Sequence, residues 1–144
     1  MAEIPALPTT LTLEIVTPDR SLVHDVVDEV QVPAAEGYLG ILPGHTPLLA
    51  TLQVGEVTYR TGQQTTHLLV AFGFVEVLPD RVTVLAQIGE RAEDIDVARA
   101  EAAKRRAEQR MAVPAVNIDF ERARVALMKS LIRLQVAARA RTRA

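Results

Sequence analysis

The hydrophobic pattern of this chain changes period once, near residue 90, and that change restricts its possible folds more than any other feature. Before it, apolar and other residues alternate. Leu11, Leu13 and Ile15 are separated by Thr12 and Glu14, Val75 and Val77 by Glu76, and Val82 and Val84 by Thr83. A period of two is that of a half-buried strand. The turn sequences TPDR (17–20), RTGQ (60–63) and LPDR (78–81) punctuate these runs, with proline presetting one backbone angle and aspartate able to bond nearby amides. At this spacing the segment predicts about eight to ten short strands in an antiparallel sandwich or flattened barrel.

After residue 90 the texture is helical. EDIDVARAEAAKRRAEQRM, from Glu93, is rich in alanine and charge and contains neither glycine nor proline, a composition of strong helix formers. Asp94 is placed to cap this helix, with Asp96 in its first turn. Pro114 predicts a short break, followed by a second helix from about Asp119 to Arg139. There Ala123, Leu127, Leu131, Leu134 and Ala138 recur at helical spacing as one apolar stripe. The expected architecture is α+β: a sandwich over residues 1–90, then an antiparallel helical hairpin over 91–144. Alanine-rich helices of this length bury little area, so the hairpin depends on what it docks against.

Charge divides the same way: residues 1–90 carry a net −8 and residues 91–144 a net +6. This asymmetry indicates two modules. The absence of cysteine excludes disulfides, thiolate metal sites and a cysteine nucleophile. The acidic start argues against a secretory or transit peptide. The apolar run LLVAFGFV (68–75) is too short to span a bilayer. Nucleic-acid binding is disfavoured, because the acidic segment repels phosphate and no aromatic stacking platform is present.

Residues 36–50, EGYLGILPGHTPLLA, combine three glycines, two prolines and a histidine. They match neither a Walker-type phosphate loop nor a nucleotide-binding glycine fingerprint. The segment reads as a shaped surface loop, with Pro43–Gly44 in a type II turn, leucines anchoring it and His45 as a strut. His24, His45 and His67 have no metal-ligand spacing, and no catalytic constellation is visible. In the helices, Asp96, Arg99 and Arg106 share one arc, and Arg122, Lys129 and Arg133 share another. Such cations suit phosphate oxygens, an acidic protein surface, or simply solvent.

In order along the chain, EGYLGILPGHTPLL (36–49), VTVLA (82–86) and IDVARA (95–100) resemble the epsilon subunit of F-type ATP synthases. The resemblance runs from about residue 9 to 138. It implies a non-catalytic rotor subunit whose sandwich binds the gamma subunit and rests on the c-ring. Glu36, Tyr38, Gly40, Pro43 and His45 would lie in the ring-facing loop, although Tyr38 stands where several members carry a charged or polar residue. The hairpin would fold on the sandwich or extend into the alpha–beta hexamer to inhibit hydrolysis, with Arg122, Lys129 and Arg133 as its inhibitory basic face. No cofactor is implied, but some bacterial members bind ATP in the compact hairpin as a regulatory ligand. The matching positions are Glu90, Ile95, Asp96, Arg99, Ala100, Arg106, Lys129 and Arg133, with Lys129 replacing an arginine. The alternative emphasis is an ATP-sensing binding protein locked compact by its ligand. Either way the resemblance implies a peripheral location on the cytoplasmic face of a bacterial plasma membrane, with no membrane insertion.

Overall fold

The computed structural model describes residues 3–113 and 119–141, the Arg141 side chain excepted. The predicted break at Pro114 lies outside the described residues. Seven strands are present among them: β1 (Leu11–Val16), β2 (Ser21–Val27), β3 (Glu29–Ala34), β4 (Gly37–Ile41), β5 (Leu48–Thr61), β6 (Gln64–Leu78) and β7 (Arg81–Arg91). They are ordered β2-β1-β7-β6-β5-β3-β4. All neighbours are antiparallel except β1 and β7, which run parallel with Thr12 opposite Arg81.

Seven strands stand where the spacing predicts eight to ten, because β5, β6 and β7 each pass unbroken through both layers of the sandwich. The face each turns to the core changes along the way. In β6, Val75 and Val77 enter the main core in one half, and Leu68 and Val70 in the other. In β5 the corresponding residues are Leu52, then Val57 and Tyr59. The change falls where Phe72 interrupts the pairing with Gln53 and Gln87. Phe72 has φ 62° and Gly73 φ 116°, and a Cβ on Gly73 would lie 2.0 Å from the Leu85 carbonyl oxygen. Only glycine accepts both that angle and that approach without strain. The register is the same on either side, so a local twist of three strands, not an inserted residue, turns one ribbon into two layers.

The twist leaves the outer face of one half apolar, and the helices cover it. Val54, Leu69 and Ala71 are buried there beneath Val125, Met128 and Ile132. A third cluster joins Ile95 to Val136 and Ala137. Helix α1 (Val97–Ala112) follows a 3-10 turn at Ala92–Asp94, and α2 spans Phe120–Arg141. The cap of α1 is Asp96, not Asp94. Asp96 Oδ1 accepts from the Arg99 amide at 3.1 Å, while Asp94 is taken by Arg20 of the β1–β2 turn at 3.0 Å.

Helix α2 lies against β5 and β6, and α1 packs on α2. The predicted single stripe on α2 is therefore corrected: Leu131 and Ala138 are exposed. A helix held between a sheet and another helix needs two buried faces. Val125, Met128 and Ile132 form the one against the sheet, and Val136 continues it onto Ile95, just before α1. Small residues at seven-residue spacing, Ala123, Ser130 and Ala137 on α2 and Ala100 and Ala107 on α1, are also buried. On α1 they allow close approach to α2, the one element it packs against extensively.

Candidate functional site: an arginine-lined cleft at the base of the hairpin

A cleft of about 370 Å³ opens where the end of β7, the start of α1 and the middle of α2 converge. Glu90, Asp94, Asp96, Arg99, Ala100, Ala103, Arg106 and Arg133 line it. Each is placed by an ordinary structural cause. Glu90 lies opposite Leu69, one pair before the end of the β7 ladder, on the face that β7 turns to the helices. Asp96 caps α1, so Arg99 and Arg106, three and ten residues on, rise along one side of that helix. Arg133 reaches across from α2 and grips the Glu90 carboxylate with both prongs, Nε to Oε2 at 2.9 Å and Nη2 to Oε1 at 2.8 Å.

All three carboxylates of the cleft are engaged: Glu90 by Arg133, Asp94 by Arg20 and Asp96 by the helix terminus. Arg99 and Arg106 are exposed and form no ion pair with any described residue. Two unengaged guanidinium groups, a third on a carboxylate and a helix amino terminus make a site for an anion with several oxygens. The volume lies in the range of small-molecule sites. No group of His, Cys, Asp and Glu among the described residues could hold a metal ion.

Of the eight residues marked for a nucleotide, the structure brings six together: Glu90, Asp96, Arg99, Ala100, Arg106 and Arg133. Ile95 lies beneath them, buried with Val136 and Ala137, and Lys129 is half-buried outside the cleft lining. Asp94 and Ala103 line the cleft without having been singled out. Ala103 lies four residues before Ala107 and three after Ala100, a spacing that could have revealed it. Arg122 is exposed near the start of α2, its amide capped by Asp119 at 3.1 Å.

At the opposite end of the sandwich, Ala35 and Glu36 form the turn between β3 and β4, and Gly37 has φ 128°. Leu42 to His45 make the expected type II turn: Gly44 has φ 85°, and the His45 amide donates to the Leu42 carbonyl at 3.2 Å. His45 Nδ1 lies 2.7 Å from the Thr46 carbonyl oxygen. Ile41 is buried and Leu39 packs on the core, whereas Leu42, Leu48 and Leu49 are exposed, so the anchoring is shorter than expected. Gly40 lies within β4 opposite Gln31. The Tyr38 hydroxyl turns back to β5, where it accepts from the Glu56 amide at 3.1 Å.

Sequence reasoning missed Glu56 itself. It is a buried carboxylate on β5. Gln135 Nε2 donates to Oε2 at 2.7 Å. His67 Nδ1 and Arg139 Nε stand 2.5 and 3.0 Å from Oε1, though neither approaches along a favourable hydrogen-bonding direction. A single glutamate inside the otherwise apolar run Val54–Val57 was the available signal.

Together, fold and cleft define a two-part protein: a sandwich that carries a docked helical hairpin, with an arginine-lined cleft at their junction. Residues 10–92 match the family model "ATP synthase, Delta/Epsilon chain, beta-sandwich domain", and residues 93–138 match "ATP synthase, Delta/Epsilon chain, long alpha-helix domain". The chain belongs to the ATP synthase delta/epsilon family. It is 50% identical over 131 residues to an ATP synthase epsilon chain of Solibacter usitatus, covering 91% of this chain and 98% of the relative. To that of Koribacter versatilis it is 56% identical over 102 residues, covering 71% and 72%. The fold resembles a chain of the Euglena gracilis mitochondrial ATP synthase OSCP/F1/c-ring structure, with TM-score 0.78, 19% identity and coverage of 96% and 84%. It also resembles one in the Tetrahymena thermophila central stalk/c-ring, with TM-score 0.55, 14% identity and coverage of 94% and 98%.

Proposed function

We propose that this chain is the rotor subunit of a bacterial F-type ATP synthase that couples the c-ring to the gamma subunit and restrains ATP hydrolysis through its hairpin. It has no catalytic role of its own on this reading. Residues 1–90 are the rotor-binding part and residues 91–144 the regulatory part. The carrying observation is the way the hairpin is held. Polar and charged contacts at Glu90 and Glu56 and modest apolar clusters fix α2 to the sheet, a docking weak enough to be reversible. A regulatory element requires two arrangements within a few kcal/mol.

The sandwich carries surface suited to protein partners. Phe74 and Leu85 are paired neighbours on β6 and β7, and both are exposed. Leu49 of β5 lies opposite Glu76, two residues from Phe74, and is also exposed. This outer face supports contact with gamma, while the loop containing Glu36, Tyr38, Gly40, Pro43 and His45 supports contact with the ring. Released, the hairpin presents Arg122, Lys129 and Arg133 to the acidic alpha–beta hexamer. Among the described residues no helix is long and apolar enough to cross a membrane, in keeping with a peripheral place on the cytoplasmic face.

ATP is the proposed regulatory ligand of the cleft, held against Arg99, Arg106 and Arg133. It must share or displace Glu90 from Arg133, so the affinity is modest. Calorimetry on the full chain tests this, with Arg99→Ala and Arg133→Ala as variants. Heat from ATP that each variant weakens supports the site; no heat at millimolar ATP removes the ligand and leaves the rotor reading intact. Failure of the full chain to bind gamma overturns that reading.

A further inference from the structure

Asp94 lines the cleft but is held by a residue outside it. Its Oδ2 accepts from Arg20 Nη2 at 3.0 Å. Arg20 belongs to the turn between β1 and β2 and does not line the cleft. Three local hydrogen bonds shape that turn. The Thr17 amide and hydroxyl both donate to the Arg20 carbonyl, at 2.9 and 3.2 Å, and the Arg20 amide donates back to the Thr17 hydroxyl at 3.3 Å. The turn is also seated on the end of β7. A Cβ on Gly89 would lie 2.5 Å from Leu22 Cδ1 and 3.0 Å from Thr17 Cγ2, so the missing side chain permits the close approach. Arg91 of the same strand donates to the Leu22 carbonyl. Between Gly89 and Arg91 stands Glu90, which lines the cleft. Arg20 is thus brought beside the cleft by contacts that owe nothing to Asp94.

Charge gives this arrangement its consequence. In the cleft lining three carboxylates, Glu90, Asp94 and Asp96, stand against three guanidinium groups, Arg99, Arg106 and Arg133. The lining by itself is neutral, a poor match for a ligand with several negative charges. Arg20 cancels Asp94 from outside and leaves one positive charge in excess. We propose that Arg20 sets the affinity of the cleft for a polyphosphate anion by neutralising Asp94, a reading that rests on ATP being the ligand of the cleft.

The two residues therefore act with opposite signs. Loss of Arg20 bares the Asp94 carboxylate, which repels the ligand. Loss of the Asp94 charge frees Arg20 and adds a positive charge at the rim. Both losses break the same ion pair, so a pair that merely braced the cleft would weaken binding in either case. The side chains are 53% and 41% exposed, and bracing by so open a pair contributes little. Its charges still act on an anion in the cleft that Asp94 lines, within a screening length of about 8–10 Å.

Calorimetry of ATP binding to the full chain tests this, with Arg20→Gln, Asp94→Asn and the double variant. Far-UV circular dichroism confirms that each is folded. One unit charge beside a ligand of several charges changes its affinity by about three- to tenfold near a solvated surface. Arg20→Gln should weaken ATP binding by that factor, and Asp94→Asn should tighten it by a similar one. The double variant should return close to the unaltered chain, and added salt should shrink every difference. Weaker or unchanged binding in Asp94→Asn, or a double variant as weak as Arg20→Gln, overturns the proposal and leaves ATP as the ligand. No heat from any of these chains at millimolar ATP overturns the ligand and the proposal together.

Discussion

Replacing Arg133 with alanine should loosen the hairpin without unfolding the sandwich. Arg133 makes two short, charge-assisted bonds to Glu90, and both side chains are about a quarter exposed, at 25% and 27%. A hydrogen bond to a charged group contributes about 1.5–3 kcal/mol when well buried. Solvent screening reduces such pairs, towards about 1 kcal/mol or less at full exposure. For a forked pair at this depth the loss is about 2 kcal/mol, or roughly 30-fold in the docking equilibrium. Hydrogen exchange on the full chain reads this directly. Amides of α2 should lose protection by about 30-fold, while those of β5 and β6 in the main core keep theirs. Glu90→Gln should show a similar loss, and the double variant should lose much less than the sum. Unchanged exchange in α2, or an equal loss through sandwich and hairpin together, would refute the argument that this pair holds a separately opening element.

Three further outcomes concern the sandwich. Gly73→Ala should destabilise it by about 3 kcal/mol or more, because the new Cβ meets the Leu85 carbonyl oxygen and φ is 116°. Gly62→Ala has a comparable backbone sign but open space around it, so about 1 kcal/mol is expected. Thermal denaturation of the two variants distinguishes steric from purely conformational cost. At high pH, burial first of all holds the Tyr59 hydroxyl above its ordinary value of 10.0. The unfolded chain therefore releases this proton first. The associated stability is complete below pH 10 and is lost as pH rises through the folded value. Denaturant titrations above pH 10 should show a decline that Tyr59→Phe lessens; equal declines in both chains would contradict the assignment.

The sequence revealed the two modules because each has its own hydrophobic period, and the change from two to 3.6 falls where β7 gives way to α1. It also exposed the cleft's cations, since Arg99 and Arg106 lie on one side of a single helix. The fold's coiling was not legible. AFGFV reads as uninterrupted strand, and only tertiary contact between Gly73 and Leu85 makes Phe72 turn. The two buried faces of α2 were hidden for a related reason: a single stripe was visible in the pattern, but not the sheet and the second helix that jointly surround it. Partners from distant positions were equally invisible. Glu56 and Arg139 are brought together only when β5 and α2 pack, as are Arg20 and Asp94 by the β1–β2 turn. No local pattern encodes those pairs.

The most direct test of a regulatory hairpin is ATP hydrolysis by the reconstituted complex when a disulfide fixes α2 against β7. Fixing the docked form should relieve inhibition by this chain, and reduction of the disulfide should restore it. Equal inhibition in the oxidised and reduced states would contradict the proposed mechanism.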